Sequence, residues 1–213
     1  METEKILAFL RDEIHTAVMA TADDSGNPVT CAIDVMDGDG SGLYFLTAKG
    51  KNFYARLKAR GFAALTGIAG DSTMTRVAVS VRGKVKEQRR DVLRWLLEKN
   101  PYMYEIYPTE VSREGLVAFR LYEGEGEWFD LSKKPVERRS FSFGGAETAA
   151  DGYFIGGDCI GCGKCLDVCP QSCIRLLKPP AVIVQEHCLR CGNCAAACPA
   201  GAVTKGGVKA PAP

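Results

Sequence analysis

The stretch that decides the fold of the C-terminal part reads C-I-G-C-G-K-C-L-D-V-C-P over residues 159–170, and it recurs as C-L-R-C-G-N-C-A-A-A-C-P over residues 188–199. Both runs follow the pattern C-x2-C-x2-C-x3-C-P, which is typical of bacterial [4Fe–4S] ligation. Three thiolates spaced in this way can wrap three irons of one cubane, and the intervening glycines let backbone N–H groups approach its sulfurs. The sequence therefore predicts a module that holds two [4Fe–4S] clusters and transfers single electrons.

The fourth cysteine of each run precedes a proline and begins a short helix that leads away from its own loop. In two-cluster ferredoxins this cysteine binds the other cluster. Tetrahedral zinc is the alternative, because C-x2-C pairs also bind zinc, but zinc does not require four cysteines and a proline repeated twice. We predict that Cys159, Cys162, Cys165 and Cys198 hold cluster one, and that Cys188, Cys191, Cys194 and Cys169 hold cluster two.

The remaining cysteines and a neighbouring histidine are interpreted as structural residues. Shifting the first run onto the second aligns Cys173 with Ala202, which favours a small buried side chain beside a cluster rather than a ninth ligand. Cys31 lies in an apolar, strand-like run and is expected to pack in a core. His187 precedes Cys188, and a solvated turn residue is the favoured interpretation there.

Composition restricts the functional classes. The formal net charge of +1 over 213 residues gives no reason to expect nucleic-acid binding. No apolar stretch approaches the length of a membrane-spanning helix, and the N-terminus lacks the basic region and long apolar core of a signal peptide. Ten cysteines without an export signal indicate a metal framework in a reducing cytoplasm rather than disulfides.

The chain divides by composition into two predicted domains, 1–143 and 153–213, joined by a small polar linker over 144–152. After one opening helix, the first domain shows many short alternating segments separated by Asp-Gly and Gly-Asn-Pro turns. The clearest alternation is T-R-V-A-V-S-V-R-G-K-V over 75–85. The pattern predicts a small antiparallel barrel, so the fold class is mainly β with an α+β cluster domain.

Three motifs of the first domain resemble the FMN-binding split-barrel family typified by pyridoxamine 5′-phosphate oxidase. They are S-G-N-P-V-T-C-A-I (25–33), Y-F-L-T-A-K-G-K-N-F-Y-A-R-L (44–57) and R-V-A-V-S-V-R-G-K-V (76–85). The resemblance covers roughly residues 10–130 and implies a homodimer with FMN at its interface. It implies a phosphate site at Thr47, Lys49, Lys51 and Asn52, a ring site at Thr30, Cys31, Ala32 and Ile33, and a strand that begins at Arg76.

The sequence also departs from the oxidase pattern. That pattern has an Arg and a Lys on the strand matching 30–35 and a Gln after the Arg, where this chain has Val77. These departures speak against pyridoxine-phosphate oxidase activity. A solvated loop remains the alternative for the two lysines, and a surface position remains the alternative for Arg76. We identify no general acid or base, but tyrosines 102, 104 and 107 remain candidate proton donors, whereas His15 is expected to be structural.

The two cofactor types together predict an FMN-dependent oxidoreductase that passes electrons between the clusters and the flavin and reduces or oxidises a small molecule there. A ferredoxin or a reduced nicotinamide is the expected redox partner, and the absence of G-x-G-x-x-G indicates that a nicotinamide would bind only transiently. The alternatives are a non-catalytic electron carrier or adaptor that docks onto a larger redox complex, and a barrel that has lost its flavin and only dimerises.

Overall fold

The computed structural model describes residues 2–148 and 151–206, and it separates into two compact units. The barrel unit comprises 2–71, 77–128 and 140–148, and the cluster unit comprises 72–76, 129–139 and 151–206. The second unit therefore takes two segments from the first predicted domain. Residues 149–150 of the predicted linker and 207–213 of the predicted second domain lie outside the described residues.

Seven antiparallel strands form the main sheet, in the order β3-β2-β1-β4-β5-β6-β7, and an additional pairing of β3 with β6 closes six of them into a barrel. The fold class is confirmed: this is a mainly β split barrel followed by a small α+β region. The strands are β1 Thr16–Ala22, β2 Pro28–Asp39, β3 Gly42–Ala48, β4 Phe62–Ala69, β5 Val77–Glu87, β6 Leu116–Asp130 and β7 Glu137–Phe143.

The helices of this region are short. They are α1 Thr3–Phe9, which continues as a π-helical turn Leu10–Ile14, then α2 Asn52–Arg60, α3 Arg90–Lys99, α4 Met103–Ile106 and α5 Glu110–Arg113. Helix α2 follows β3 after a short loop, so the N-terminus of the helix lies close to the end of that strand.

Local sequence explains the strand connections. In the β1–β2 turn, the Asp23 carboxylate accepts hydrogen bonds from the N–H groups of Ser25 (2.9 Å) and Asn27 (2.8 Å), and Gly26 supplies the left-handed conformation with φ of 84°. On β5, a Cβ at Gly83 would overlap the carbonyl oxygen of Glu123, so glycine permits the strands to approach there.

Two apolar layers stabilise the barrel unit. Inside the barrel, Phe45 and Phe119 stack with ring centroids 5.8 Å apart, and burial of each large side chain contributes about 1.5–3 kcal/mol. Outside it, Leu93, Leu96 and Leu97 of α3 pack against the outer side of β3 and β6. The helix therefore covers one side of the barrel, whereas Val18 and Ile68 on the outer face of β1 and β4 stay exposed.

The cluster unit repeats one small motif. Its strands β8 Tyr153–Ile155 and β11 Val203–Lys205 pair, as do β9 Ile174–Arg175 and β10 Val182–Ile183. The one-turn helices α6 Lys164–Asp167 and α7 Asn193–Ala196 each begin after a left-handed glycine, at φ of 78° and 84°. The structural repeat follows the sequence repeat, as expected if both halves surround equivalent sites.

His187 belongs to the packing of the cluster unit. Its ring Nδ1 lies 2.9 Å from the carbonyl oxygen of Val136, whose N–H donates to Gln171 Oε1 at 3.1 Å. The side chain is half-buried. The interpretation of His187 as a solvated turn residue is therefore wrong, because a carbonyl 51 residues away in sequence fixes the ring.

Across the described parts of the chain, no helix is long and apolar enough to cross a membrane.

Candidate cluster and flavin sites

The first cysteine set lines one cavity of the cluster unit. Apolar side chains such as Ile155 and Leu176 form the rest of its wall. Backbone turns at two left-handed glycines, Gly161 and Gly163, bring the loop around it. The thiols that line it are Cys159, Cys162, Cys165 and Cys198.

The second set lines a separate cavity. Tyr153, Ile174 and Ile183 contribute the apolar wall, and Gly192 supports the loop. The four predicted ligands there are Cys169, Cys188, Cys191 and Cys194. Each cavity thus collects three cysteines from one run and the fourth from the other run, which is the crossed arrangement that the sequence predicts.

The two cavities fit cubane clusters better than single ions. Among residues 2–148 and 151–206, no group of three or more His, Cys, Asp or Glu side chains meets the geometry of one bound metal ion. The thiols instead stand around the walls of two cavities, four predicted ligands to each. A cubane binds each thiolate to a different iron, so its ligands stand around a volume rather than converge on a point.

The pKa values of two cavity thiols bear on how these sites would bind metal. Burial raises the pKa of Cys165, and neighbouring cysteines add to the effect; burial likewise raises the pKa of Cys194. Thiols must lose their protons to bind metal. The iron charge of a cluster would stabilise these thiolates where the protein alone disfavours them.

The four residues of the candidate ring site on β2 have side chains on both faces of the strand. Thr30 and Ala32 point outwards and are exposed, whereas Ile33 is buried and Cys31 packs partly against the barrel core. Side chains alternate between the two faces of a strand, so Thr30 and Ala32 offer side chains to the outer face, whereas Cys31 and Ile33 could contact a ligand there only through their backbone atoms. The packing of Cys31 against the core agrees with its expected structural role, and the ring site over residues 30–33 stays a prediction.

The outer face of β2, β1 and β4 is built from small side chains. Ala32 lies opposite Val18, which lies opposite Thr66, and Val18 is 54% exposed. In the next row of this face, Thr30 lies opposite Ala20, which in turn lies opposite a residue of β4. Such a face can accept either a planar ring or the sheet of a second chain.

The loop before α2 has the chemistry of an anion site. Lys49, Lys51 and Asn52 are all exposed there. Lys51 is the N-cap residue, and no side chain caps the helix. Uncapped N–H groups and the positive end of the helix dipole favour a phosphate, and two nearby ammonium groups strengthen that preference.

Thr47 does not join this group. Its residue is 3% exposed, and its hydroxyl is enclosed without a hydrogen-bond partner in the part of the chain that the structure describes. The strand alternation of β3 turns it towards the barrel interior on the same side as Phe45. The exposed lysines and the helix terminus, rather than this hydroxyl, are therefore the surface that a phosphate can reach.

Arg56 is a candidate that the sequence motifs did not single out. Its Nε donates to Thr21 Oγ1 at 2.8 Å, and it lines a cleft together with Asn52 and Asp23. Burial raises the pKa of Cys31, while the positive charges of Arg56 and Lys51 oppose the rise. The i,i+4 spacing from Asn52 was the signal available in the sequence.

Arg76 is assigned to the cluster unit, whereas the other predicted flavin residues belong to the barrel unit. It is exposed, directly precedes β5 and belongs to the cluster unit, where its carbonyl accepts a hydrogen bond from Leu131 N–H at 2.9 Å. Its role at a flavin stays a prediction.

Of the three candidate tyrosines, Tyr102 belongs to a polar cluster at β2. Its hydroxyl donates to Asp34 Oδ2 at 3.1 Å and lies 3.1 Å from His15 Nε2. Burial, followed by the Asp34 carboxylate, raises the pKa of Tyr102 above its usual value. Tyr104 instead lies on the surface beneath the Arg113 guanidinium.

Comparison with known protein families identifies the family to which the barrel is related. The family model described as pyridoxamine 5′-phosphate oxidase matches residues 2–123. The chain belongs to the pyridoxamine 5′-phosphate oxidase family. A second model, a 4Fe–4S dicluster domain, matches residues 158–202. The chain is therefore a redox protein that joins a barrel of a flavin-binding type to a 4Fe–4S domain.

Solved structures of this family share the barrel fold. A NimC/NimA family protein from Clostridium acetobutylicum is 19% identical, with a TM-score of 0.54 over 65% of this chain and 90% of that one. A protein from the same organism that is related to general stress protein 26, of the pyridoxinephosphate oxidase family, is 16% identical, with a TM-score of 0.51 over 66% and 96%.

A heme binding protein from Mycobacterium smegmatis is 12% identical, with a TM-score of 0.51 over 66% of this chain and 56% of that one. At such identities the similarity shows the fold alone. The search of curated proteins gives no match.

Proposed function

We propose that this chain is an FMN-dependent oxidoreductase that passes electrons between two [4Fe–4S] clusters and FMN and converts a small molecule at the flavin. The observation that carries the proposal is the pair of crossed four-cysteine cavities in a chain whose barrel belongs to the pyridoxamine 5′-phosphate oxidase family. FMN supplies two-electron chemistry when bound, and a cluster carries one electron at a time.

The residues of the barrel unit would bind and orient the flavin. Lys49, Lys51 and the N–H groups that begin α2 would hold its phosphate, with Arg56 on the same helix. Thr30 and Ala32 would offer the flat outer face of β2 to the ring. None of the ten cysteines forms a disulfide, which also favours a reducing compartment such as the cytoplasm.

A homodimer is part of the proposal. Val18 and Ile68 on the outer face of β1 and β4 are 54% and 55% exposed, and small residues around them permit close approach of a second sheet. Val18→Asp should convert a dimer to a monomer in sedimentation velocity. Val111→Asp, at a position that is 75% exposed on α5, is the matched control and should leave the dimer intact.

The first experiment is anaerobic purification followed by measurement of released flavin and of iron per chain. The proposal requires one FMN and about eight irons, the content of two [4Fe–4S] clusters. Eight irons without flavin would instead favour the carrier or the dimerisation module. With both cofactors present, catalytic turnover of a small molecule, driven by reduced ferredoxin or reduced nicotinamide, separates the enzyme from a non-catalytic carrier.

The anion site has its own test. Replacement of both Lys49 and Lys51 by Ala should weaken FMN binding about thirtyfold, since two partly solvated charge contacts contribute about 2 kcal/mol together. Iron content should not change. Lys5→Ala with Lys58→Ala removes the same charge from side chains that are 70% and 53% exposed, and it should leave FMN binding unchanged. Equal FMN affinity in both double variants would refute the assignment.

A further inference from the structure

Among the buried positions that differ between the two halves of the cluster unit, one has a thiol in the first half and a methyl group in the second. Cys173 follows the Pro turn of the first run, and Ala202 occupies the equivalent place after the second. Both are buried, at 5% and 4% exposure. The repeat is therefore symmetric in its eight predicted ligands and asymmetric in the side chain behind them.

Cys173 lies against a predicted ligand of cluster two. Its Sγ is 3.5 Å from Cys169 Sγ, and its backbone N–H donates to the same sulfur at 3.4 Å. Cys173 also lines the cavity that Cys169 shares with Cys188. When Cys169 binds iron it does so as a thiolate without a proton, so the thiol of Cys173 must be the donor in this pair. Ala202 has only a methyl group and cannot donate.

We propose that Cys173 tunes cluster two through its S–H hydrogen bond to Cys169 and gives that cluster a higher reduction potential than cluster one. Reduction adds negative charge to a cluster, and a donor to a ligand sulfur stabilises that charge. A second donor on the same cluster, the N–H of Arg190 at 3.3 Å from Cys188 Sγ, acts in the same direction.

The consequence is a preferred direction of electron flow inside the module. An electron from a one-electron donor that reduces cluster one passes to oxidised cluster two, and no bond is formed or broken in that step. Cluster two is then the cluster that is reduced when the module holds one electron. Cys173 is a positioning residue in this scheme, because it acts on the cluster through Cys169 and binds no iron itself.

The inference rests on the proposed occupancy by two [4Fe–4S] clusters, so the test measures occupancy and potential separately. Iron and sulfide per chain are determined for the full-length holoprotein, for Cys173→Ala and for Cys173→Ser. Both potentials are then obtained by a dithionite-poised redox titration followed by electron paramagnetic resonance. Cys173→Ala should retain about eight irons and lower one potential only, whereas Cys173→Ser keeps a donor and should restore it.

The expected change is about tenfold in the equilibrium between the two singly reduced forms, which is about 59 mV for a one-electron couple. The reverse variant Ala202→Cys should raise the other potential, and it provides an independent test where Cys173→Ala fails to fold. Eight irons with unchanged potentials in both variants would overturn the tuning role alone. Loss of four irons in Cys173→Ala would make it a ligand and overturn the proposal. Fewer than eight irons in the unaltered protein would overturn the proposed occupancy.

Discussion

Replacing Asp37 by Asn should destabilise the barrel unit by about 2 kcal/mol. The Asp37 side chain is buried at the β2 bulge, where Oδ2 lies 2.6 Å from Lys99 Nζ and Oδ1 lies 3.2 Å from Arg11 Nη1. Its Oδ1 also accepts the N–H of Gly38 at 2.9 Å. One carboxylate thereby connects the π-helical turn, strand β2 and the end of α3.

The magnitude follows from the exposure of the partners. Breaking a fully buried ion pair costs about 3–5 kcal/mol because a charge is left without a partner in the interior. Here Lys99 and Arg11 are 47% and 34% exposed, so both can regain water when Asp37 is neutralised. The loss reduces to two weakened charge-assisted hydrogen bonds, or about 2 kcal/mol in total. This is about thirtyfold in the folding equilibrium constant.

The effect should also depend on pH with a defined sign. Burial alone would raise the pKa of Asp37, but the hydrogen bonds from Lys99, from the Gly38 N–H and from Arg11 outweigh it and hold the pKa below its usual value. A lowered pKa stabilises the fold above the unfolded value of about 3.9, and this contribution disappears as the pH falls through the folded value. The difference between the two proteins should therefore be constant from pH 7 to pH 5 and vanish in stronger acid.

Urea denaturation followed by tryptophan fluorescence measures this difference, because Trp95 and Trp128 both lie in the barrel unit. Asp12→Asn is the matched control, since it removes the other carboxylate on Arg11 from a side chain that is 53% exposed. It should change the free energy of unfolding by less than about 0.5 kcal/mol. A similar loss in both variants, or a loss for Asp37→Asn that does not shrink as the pH is lowered below about 3.9, would refute the reasoning.

Three further substitutions test other parts of the barrel unit. Thr47→Val removes a buried hydroxyl that has no described partner, so it should raise the free energy of unfolding by about 1 kcal/mol in urea titrations without reducing FMN content. Tyr102→Phe should lower that free energy by about 1 kcal/mol, and an unchanged melting curve would contradict the hydrogen bonds described above. Gly126→Ala would press a Cβ against the Ser80 carbonyl and should cost about 1–3 kcal/mol, whereas Gly115→Ala meets no atom within 4 Å and should be neutral in the same assay.

The cluster unit was largely predictable because its information is local. Ligand spacing, left-handed glycines and the proline after the fourth cysteine all act within about a dozen residues of sequence, and the crossed cavities follow from them. What spacing could not predict is the environment of each sulfur. The approach of the Cys173 thiol to Cys169 depends on how the chain packs after the turn, and only the burial of this thiol was expected from the repeat.

Alternation predicted strands better than it predicted sites. The regular run over 75–85 corresponds to β5, because one of its faces is buried and the other is exposed. On β2, the side chains of Thr30 and Ala32 lie on the outer face and those of Cys31 and Ile33 point towards the core, and the motif alone did not indicate this division. No sequence motif pointed to Asp37 or Arg56, because their hydrogen-bond partners lie 62 and 35 residues away in the sequence. Only the closed barrel brings these residues together.

The sequence repeat and the difference between Cys173 and Ala202 have different physical consequences. Equal ligand sets give two clusters of the same type, and equal environments would give them equal potentials, so an electron would have no preferred position. An additional S–H donor on one side removes that degeneracy without altering any ligand. If the flavin receives electrons singly from this module, the order of the two potentials decides which cluster is occupied when transfer occurs. The difference between Cys173 and Ala202 is therefore a functional one on this proposal, although both residues fill the same small space.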